Sequence, residues 1–316
     1  MHVLLSSRRH AGTGAMFVIG AALLWGTVGL VGAIVHQRSG LSALAISFWR
    51  LAFASAAMLP LLLRRRPAFA RSDRLRLVGV GAALAAYQAC YFTAVMLAGV
   101  SLATLITLGL APVLMALGGR LLLDETPQRS TVVAGAVALV GLFLLIGAPA
   151  SGTVATALSG AGLACGSAAG YAGMTLLTRR RSASGQIATF TAASLGVGAL
   201  AALPAALWDG LVLPGDAITV LLLVYLGVGP TALAYVAFFR GLTTVAATTA
   251  GVLTLIEPAA ATLLAVVLLD ERLGAGGAAG ALLLMATAVT LTLVQARTAR
   301  TPVTRHAGAR ETTPTG

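Results

Sequence analysis

The sequence predicts an all-α, polytopic membrane protein of ten transmembrane helices, arranged as two inverted five-helix repeats. Three observations carry that expectation. The chain is 58% hydrophobic and only 9% charged, with a mean hydropathy of +0.95, whereas a soluble domain clothes its surface with roughly 25% charged residues. Apolar runs of membrane-spanning length follow one another from near residue 15 to near residue 295. One block running from a proline to an acidic pair is written twice, five runs apart.

A hydrocarbon core about 30 Å thick takes about 20 helical residues to cross. Runs of that length fall over residues 15–35, 42–63, 76–97, 100–122, 130–148, 155–177, 186–207, 217–239, 243–268 and 275–295. Only Ala98, Gly99 and Val100 separate the third from the fourth, and the split is made because the unbroken stretch is about twice what one crossing can use. The 37 glycines suit close helix packing in lipid. Cys90 and Cys165 both lie inside apolar runs, which points to packing rather than to a disulfide framework. Arg8 and Arg9 precede the first run as they would in a signal peptide, but that run is long enough to span and reads as a retained helix.

Charge fixes the orientation. All 21 basic residues are arginines, and short cytoplasmic loops are where such residues gather. With the N-terminus inside, every arginine except Arg38, Arg50 and Arg272 falls in an inner loop or a terminal segment, among them Arg64, Arg65, Arg66, Arg71, Arg74 and Arg76 after the second run. The net charge of +12 is therefore a topology signal and not a nucleic-acid surface. Both termini are expected in the cytoplasm, in the inner membrane of a bacterial cell. The expected organisation is a cytoplasmic segment over residues 1–14, a first repeat over 15–148, a second over 155–295, and a polar, disordered cytoplasmic tail over 296–316.

Residues 109–125, GLAPVLMALGGRLLLDE, align with residues 255–271, LIEPAAATLLAVVLLDE. One constant offset carries Pro112 to Pro258, Asp124 to Asp270 and Glu125 to Glu271. Five helices separate the two copies, and five is odd, so the second half enters the membrane upside down. With Trp25–Gly26 in the first helix and Arg50 in the second, these paired blocks resemble the EamA-type members of the drug/metabolite transporter superfamily. The resemblance implies a ten-helix bundle around a central cavity open alternately to either side, and movement of small metabolites such as amino acids or drug-like compounds.

Two charges lie deep in the predicted spans. Glu257 is about 20 Å from either end of the ninth helix, and Arg50 is about 12 Å from the outer end of the second. A charge at helix centre costs about 2.5–3.5 kcal/mol on insertion scales, so each should face the bundle interior. For Glu257 two readings stand: a carboxylate that couples protons or binds a substrate amine, or one half of an ion pair with Arg50 or Arg240. Arg50 is either the counter-charge for an anionic substrate group or a structural arginine bonding helix-end carbonyls. Trp25, Tyr87, Gln88, Tyr91, Tyr171 and Tyr235 are candidates for the cavity wall. Tyr87 and Tyr91 are one turn apart on a common face, and the Gln88 amide needs a partner in lipid. Pro112 and Pro258 each remove a helical hydrogen bond, giving matched places where the fourth and ninth helices can bend. The acidic pairs at Asp124–Glu125 and Asp270–Glu271 are read first as markers of tight helix connections, with a part in gating as the alternative.

No catalytic motif, metal set or cofactor is expected, since His2, His10, His36 and His306 lie outside the spans or at their ends and no HExxH, GxSxG or phosphate loop occurs. The reading is a secondary active transporter, with export the favoured direction, a small-molecule substrate, the bilayer as partner and protons as the coupling ion. A lipid flippase or passive channel is the alternative, and a homodimer is compatible with the sequence. Reporter fusions at Arg65 and Asp209 should signal opposite sides of the membrane; agreement between them would overturn the orientation.

Overall fold

The computed structural model describes residues 10–146, 154–179, 186–269 and 274–298, and every regular element among them is helical. Among the described residues ten helices follow the apolar runs: α1 Thr13–Ser39, α2 Ala43–Arg65, α3 Arg71–Gly99, α4 Leu102–Leu123, α5 Arg129–Ile146, α6 Val154–Arg179, α7 Ile187–Trp208, α8 Ala217–Gly241, α9 Ala247–Leu269 and α10 Ala275–Thr298. Eight are both long and apolar enough to cross a membrane; α5 is shorter, and α6 is long but diluted by glycine and serine. The expected termini before residue 10 and after residue 298 lie outside the described residues, as do Arg180, Arg181, Asp270, Glu271 and Arg272.

The divide between α3 and α4 falls at Gly99, whose φ of 82° and ψ of 160° lie outside the helical region. That backbone is open to glycine and costly for any residue with a Cβ. At the ends of α2 and α4 the turn is made by Arg66 and Asp124, both in the left-handed region. Asp216 caps α8 through the backbone N–H groups of Ile218 and Thr219 and accepts a bond from the Thr219 hydroxyl at 2.7 Å. That hydroxyl first, then Arg38 at 2.9 Å, holds the Asp216 carboxyl well below the usual carboxylate range.

The two repeats interlock through their first helices. α1 packs on α8 and α9 of the second repeat, while α6 packs on α3 and α4 of the first. The pairs α2–α7 and α5–α10 complete the pseudo-symmetry. Contacts at the helix ends show the alternation. Gly14 at the start of α1 lies against Gly241 and Thr244, and the end of α4 meets the end of α6, all at the arginine-rich end. At the opposite end Arg38 pairs with Asp216, and the Trp49 indole donates to the Val212 carbonyl at 3.0 Å.

Small residues make the swap possible because lipid offers helices no hydrophobic drive to associate, only packing. A Cβ on Gly160 of α6 would lie 2.5 Å from the Ala98 Cβ of α3, and one on Gly26 of α1 would lie 2.8 Å from the Ala260 Cβ of α9. Gly162, two residues from Gly160, has open space around it. Gly160→Ala should therefore destabilise the bundle by about 1–3 kcal/mol, whereas Gly162→Ala should stabilise it by about 0.5–1 kcal/mol. Thermal unfolding in detergent reads both, and equal shifts would refute the close approach.

Candidate functional site

The site is assembled at the middle of the bundle, and breaks in α1, α8 and α9 position it. α1 is interrupted at Thr27, just beyond Trp25, where the Thr27 hydroxyl donates to the Leu24 carbonyl at 2.8 Å. In α8 the turn Val228–Leu233 is a π-helix. Pro230 has no N–H, so the Leu226 carbonyl loses its ordinary helical donor; the Thr231 hydroxyl supplies one at 2.7 Å. α9 consists of Ala247–Leu253 and Ile256–Leu269, with Thr254 and Leu255 between them. Pro258 cannot donate to the carbonyl of Thr254, and the Glu257 N–H takes it instead at 2.9 Å. Pro258 therefore sits in the first turn after a break, whereas α4 runs on unbroken through Pro112.

Around these breaks stands an aromatic wall. Trp25 meets Tyr235 and Phe238, each at 5.2 Å between ring centroids, and Tyr171 edge-on at 6.3 Å. Tyr87 stacks on Tyr171 at 5.5 Å. The sequence reading named four of these rings but missed Phe238, one of several phenylalanines in apolar runs, whose place on α8 one turn from Tyr235 was the available signal. The Tyr171 hydroxyl donates to Thr254 at 3.1 Å, and Thr254 donates to the Gly251 carbonyl at 2.9 Å. The Trp25 indole N–H is buried without a partner among the described residues.

Arg50 reaches this wall from α2. Its Nε donates to the Thr231 hydroxyl at 3.4 Å, a long bond across the two repeats. Glu257 enters the same interior from α9, with its carbonyl against Gly26 of α1, and it lies near enough to Arg50 for their charges to act on each other. Among the described residues no ion pair joins Glu257 to Arg50 or to Arg240. The ion pairs among the described residues are Arg38–Asp216, Arg76–Asp73 and Arg179–Glu125, and Arg240 lies over the Phe17 ring at 5.3 Å. Two opposite charges thus share one interior without neutralising each other by contact.

Tyr91 and Gln88 stand apart from the wall. The Tyr91 hydroxyl is engaged by Thr104 of α4 at 2.8 Å. Gln88 is buried with neither amide atom bonded among the described residues, and it lines a crevice of about 240 Å³ between α2, α3 and α7 with Ser47, Leu51 and a row of alanines. Of the two cysteines, Cys90 is half-buried and Cys165 exposed.

Removing the Tyr171 hydroxyl leaves Thr254 without that incoming bond, whereas the Tyr87 hydroxyl makes no such bond among the described residues. Tyr171→Phe should cost about 1 kcal/mol and Tyr87→Phe close to nothing, as compared by thermal unfolding; equal losses would contradict the Tyr171–Thr254 contact.

Comparison with known proteins agrees with this architecture. The model of the EamA-like transporter family matches residues 12–147 and again residues 158–293. A protein of Bacillus subtilis (strain 168), named Uncharacterized transporter YwfM, is 31% identical over 276 residues, covering 86% of this chain and 90% of its own length. A crystal structure of a protein 25% identical in sequence superposes with a TM-score of 0.75, over 89% of this chain and 98% of that one. With both halves matched in turn, the chain belongs to the EamA-like transporter family, multi-pass membrane transporters of small substrates.

Proposed function

We propose that this transporter is secondary active, that it works by alternating access in the cytoplasmic membrane with both ends inside, and that it exports small metabolites bearing an amine and an acid, amino acids foremost. The observation that carries the reading is the pair of unneutralised charges at the aromatic wall. A zwitterion offers its carboxylate to the Arg50 guanidinium and its ammonium to Glu257, completing two half-pairs that the protein alone leaves open. Trp25, Tyr87, Tyr171, Tyr235 and Phe238 then receive an apolar or aromatic side chain. Glu257, when no ammonium is bound, is the group available to take up a proton, which links cargo to a proton gradient.

The Gln88 crevice does not favour the lipid-flippase alternative. At about 240 Å³ it is smaller than ordinary ligand pockets of roughly 300–1,000 Å³, and a phospholipid needs more. Expected in proteoliposomes is accumulation of labelled amino acids under an imposed pH gradient, abolished by Glu257→Gln and weakened at least about tenfold by Arg50→Gln. Accumulation by Glu257→Gln that still follows the pH gradient would reduce that carboxylate to a structural group.

A further inference from the structure

The acidic pair that ends α4 does more than turn the chain. Asp124, with φ 53° and ψ 27°, stops the helix, and the Glu125 N–H returns to the Gly119 carbonyl at 3.0 Å. The Glu125 side chain then leaves its own repeat. Its Oε1 accepts from Arg179 Nε at 2.7 Å and its Oε2 from the backbone N–H of Ala247 at 3.2 Å, while Arg179 Nη1 donates to the Leu242 carbonyl at 2.6 Å. One carboxylate of the first repeat thus gathers α6 and the α8–α9 turn of the second.

Ala247 opens α9, and the preceding Ala246 has no side-chain oxygen with which to cap it. Glu125 fills that place with a full negative charge at the positive end of the helix. The segment it caps, Ala247–Leu253, is buried at all seven positions and lies between the arginine-rich end and the break that leads to Glu257. A further tie, Thr131 to Thr249 at 3.3 Å, holds it to α5.

We propose that Ala247–Leu253 is the gate at the arginine-rich end of the transport path and that Glu125 with Arg179 is its latch. Side chains at the latch are about a fifth exposed, 20% for Glu125 and 21% for Arg179, so water from that end reaches the pair and can receive both charges when it parts. The break at Thr254–Leu255 separates the segment from the rest of α9, so the gate can move while Ile256–Leu269 keeps its packing on α1. Its purpose rests on the alternating-access reading above, but its opening is measured without substrate.

The test is thiol accessibility in proteoliposomes of a chain carrying Cys90→Ala, Cys165→Ala and Thr248→Cys, using a membrane-impermeant maleimide presented to the arginine-rich face. Thr248 is buried, so labelling should be slow. Glu125→Gln and Arg179→Gln should each speed it by about tenfold or more, and the double variant should be no faster than the faster single. Arg179→Gln leaves α4 untouched and so keeps the test intact if Glu125→Gln folds poorly. Arg240→Gln, a cation at the same end with no part in the latch, should label as slowly as the parent. Unchanged labelling in both single variants, or equal acceleration by Arg240→Gln, would overturn the latch whatever the cargo proves to be.

Discussion

A guanidinium carried into hydrocarbon on α2 costs about 2.5–3.5 kcal/mol on insertion scales unless the bundle gives it something to face, and the interior around Arg50 is organised by that need. Its hydrogen bond among the described residues runs to Thr231, whose hydroxyl the π-turn at Pro230 also draws to the Leu226 carbonyl. A helix defect in the second repeat thereby steadies a charge supplied by the first. Glu257, just past another defect, faces the same interior without closing on Arg50. On the function proposed above, contact between them would satisfy both charges and leave a zwitterion's charged ends nothing to bind.

The inverted repeat gives a scaffold but not a symmetric site. Pro112 and Pro258 are equivalent in sequence, yet α4 is continuous and α9 is broken. Other features differ between the halves as well. Glu257 has Ala111 as its counterpart, and the π-turn belongs to α8 alone among the described residues. The second repeat contributes the π-turn, the broken α9 and Glu257, while the first contributes the break at Thr27, Arg50, Trp25 and Tyr87. Neither half contains the whole candidate site, and the exchange of α1 and α6 brings the two sets of residues together.

Hydropathy made the ten helices legible because lipid imposes one length on every crossing, and even the Ala98–Val100 divide showed as excess length before Gly99 was seen to make the turn. Arg50 and Glu257 were legible because charge is rare in such runs. What they bond was not. The contacts of Arg50 and Tyr91 are to Thr231 and Thr104, and threonines are common in these helices, so nothing in the residue type marks these two. The partners of Glu125 were hidden for a related reason. Its place after a helix end suggested a connection, and the partners that give it a second role, Arg179 and Ala247, are distant in sequence and brought close only by the fold.

The exchange of first helices also sets an order of events during synthesis. α6 emerges when α3 and α4 are already made, so it can dock at once. α1 is made first, but Gly26 must find Ala260 and Trp25 must find Tyr235, both near the other end of the chain. At about 5–20 residues per second, α1 waits on the order of ten to fifty seconds with its notch empty and its indole unshielded. Two halves that are equivalent in space are unequal in time, and the first helix is the one most in need of protection by the insertion machinery.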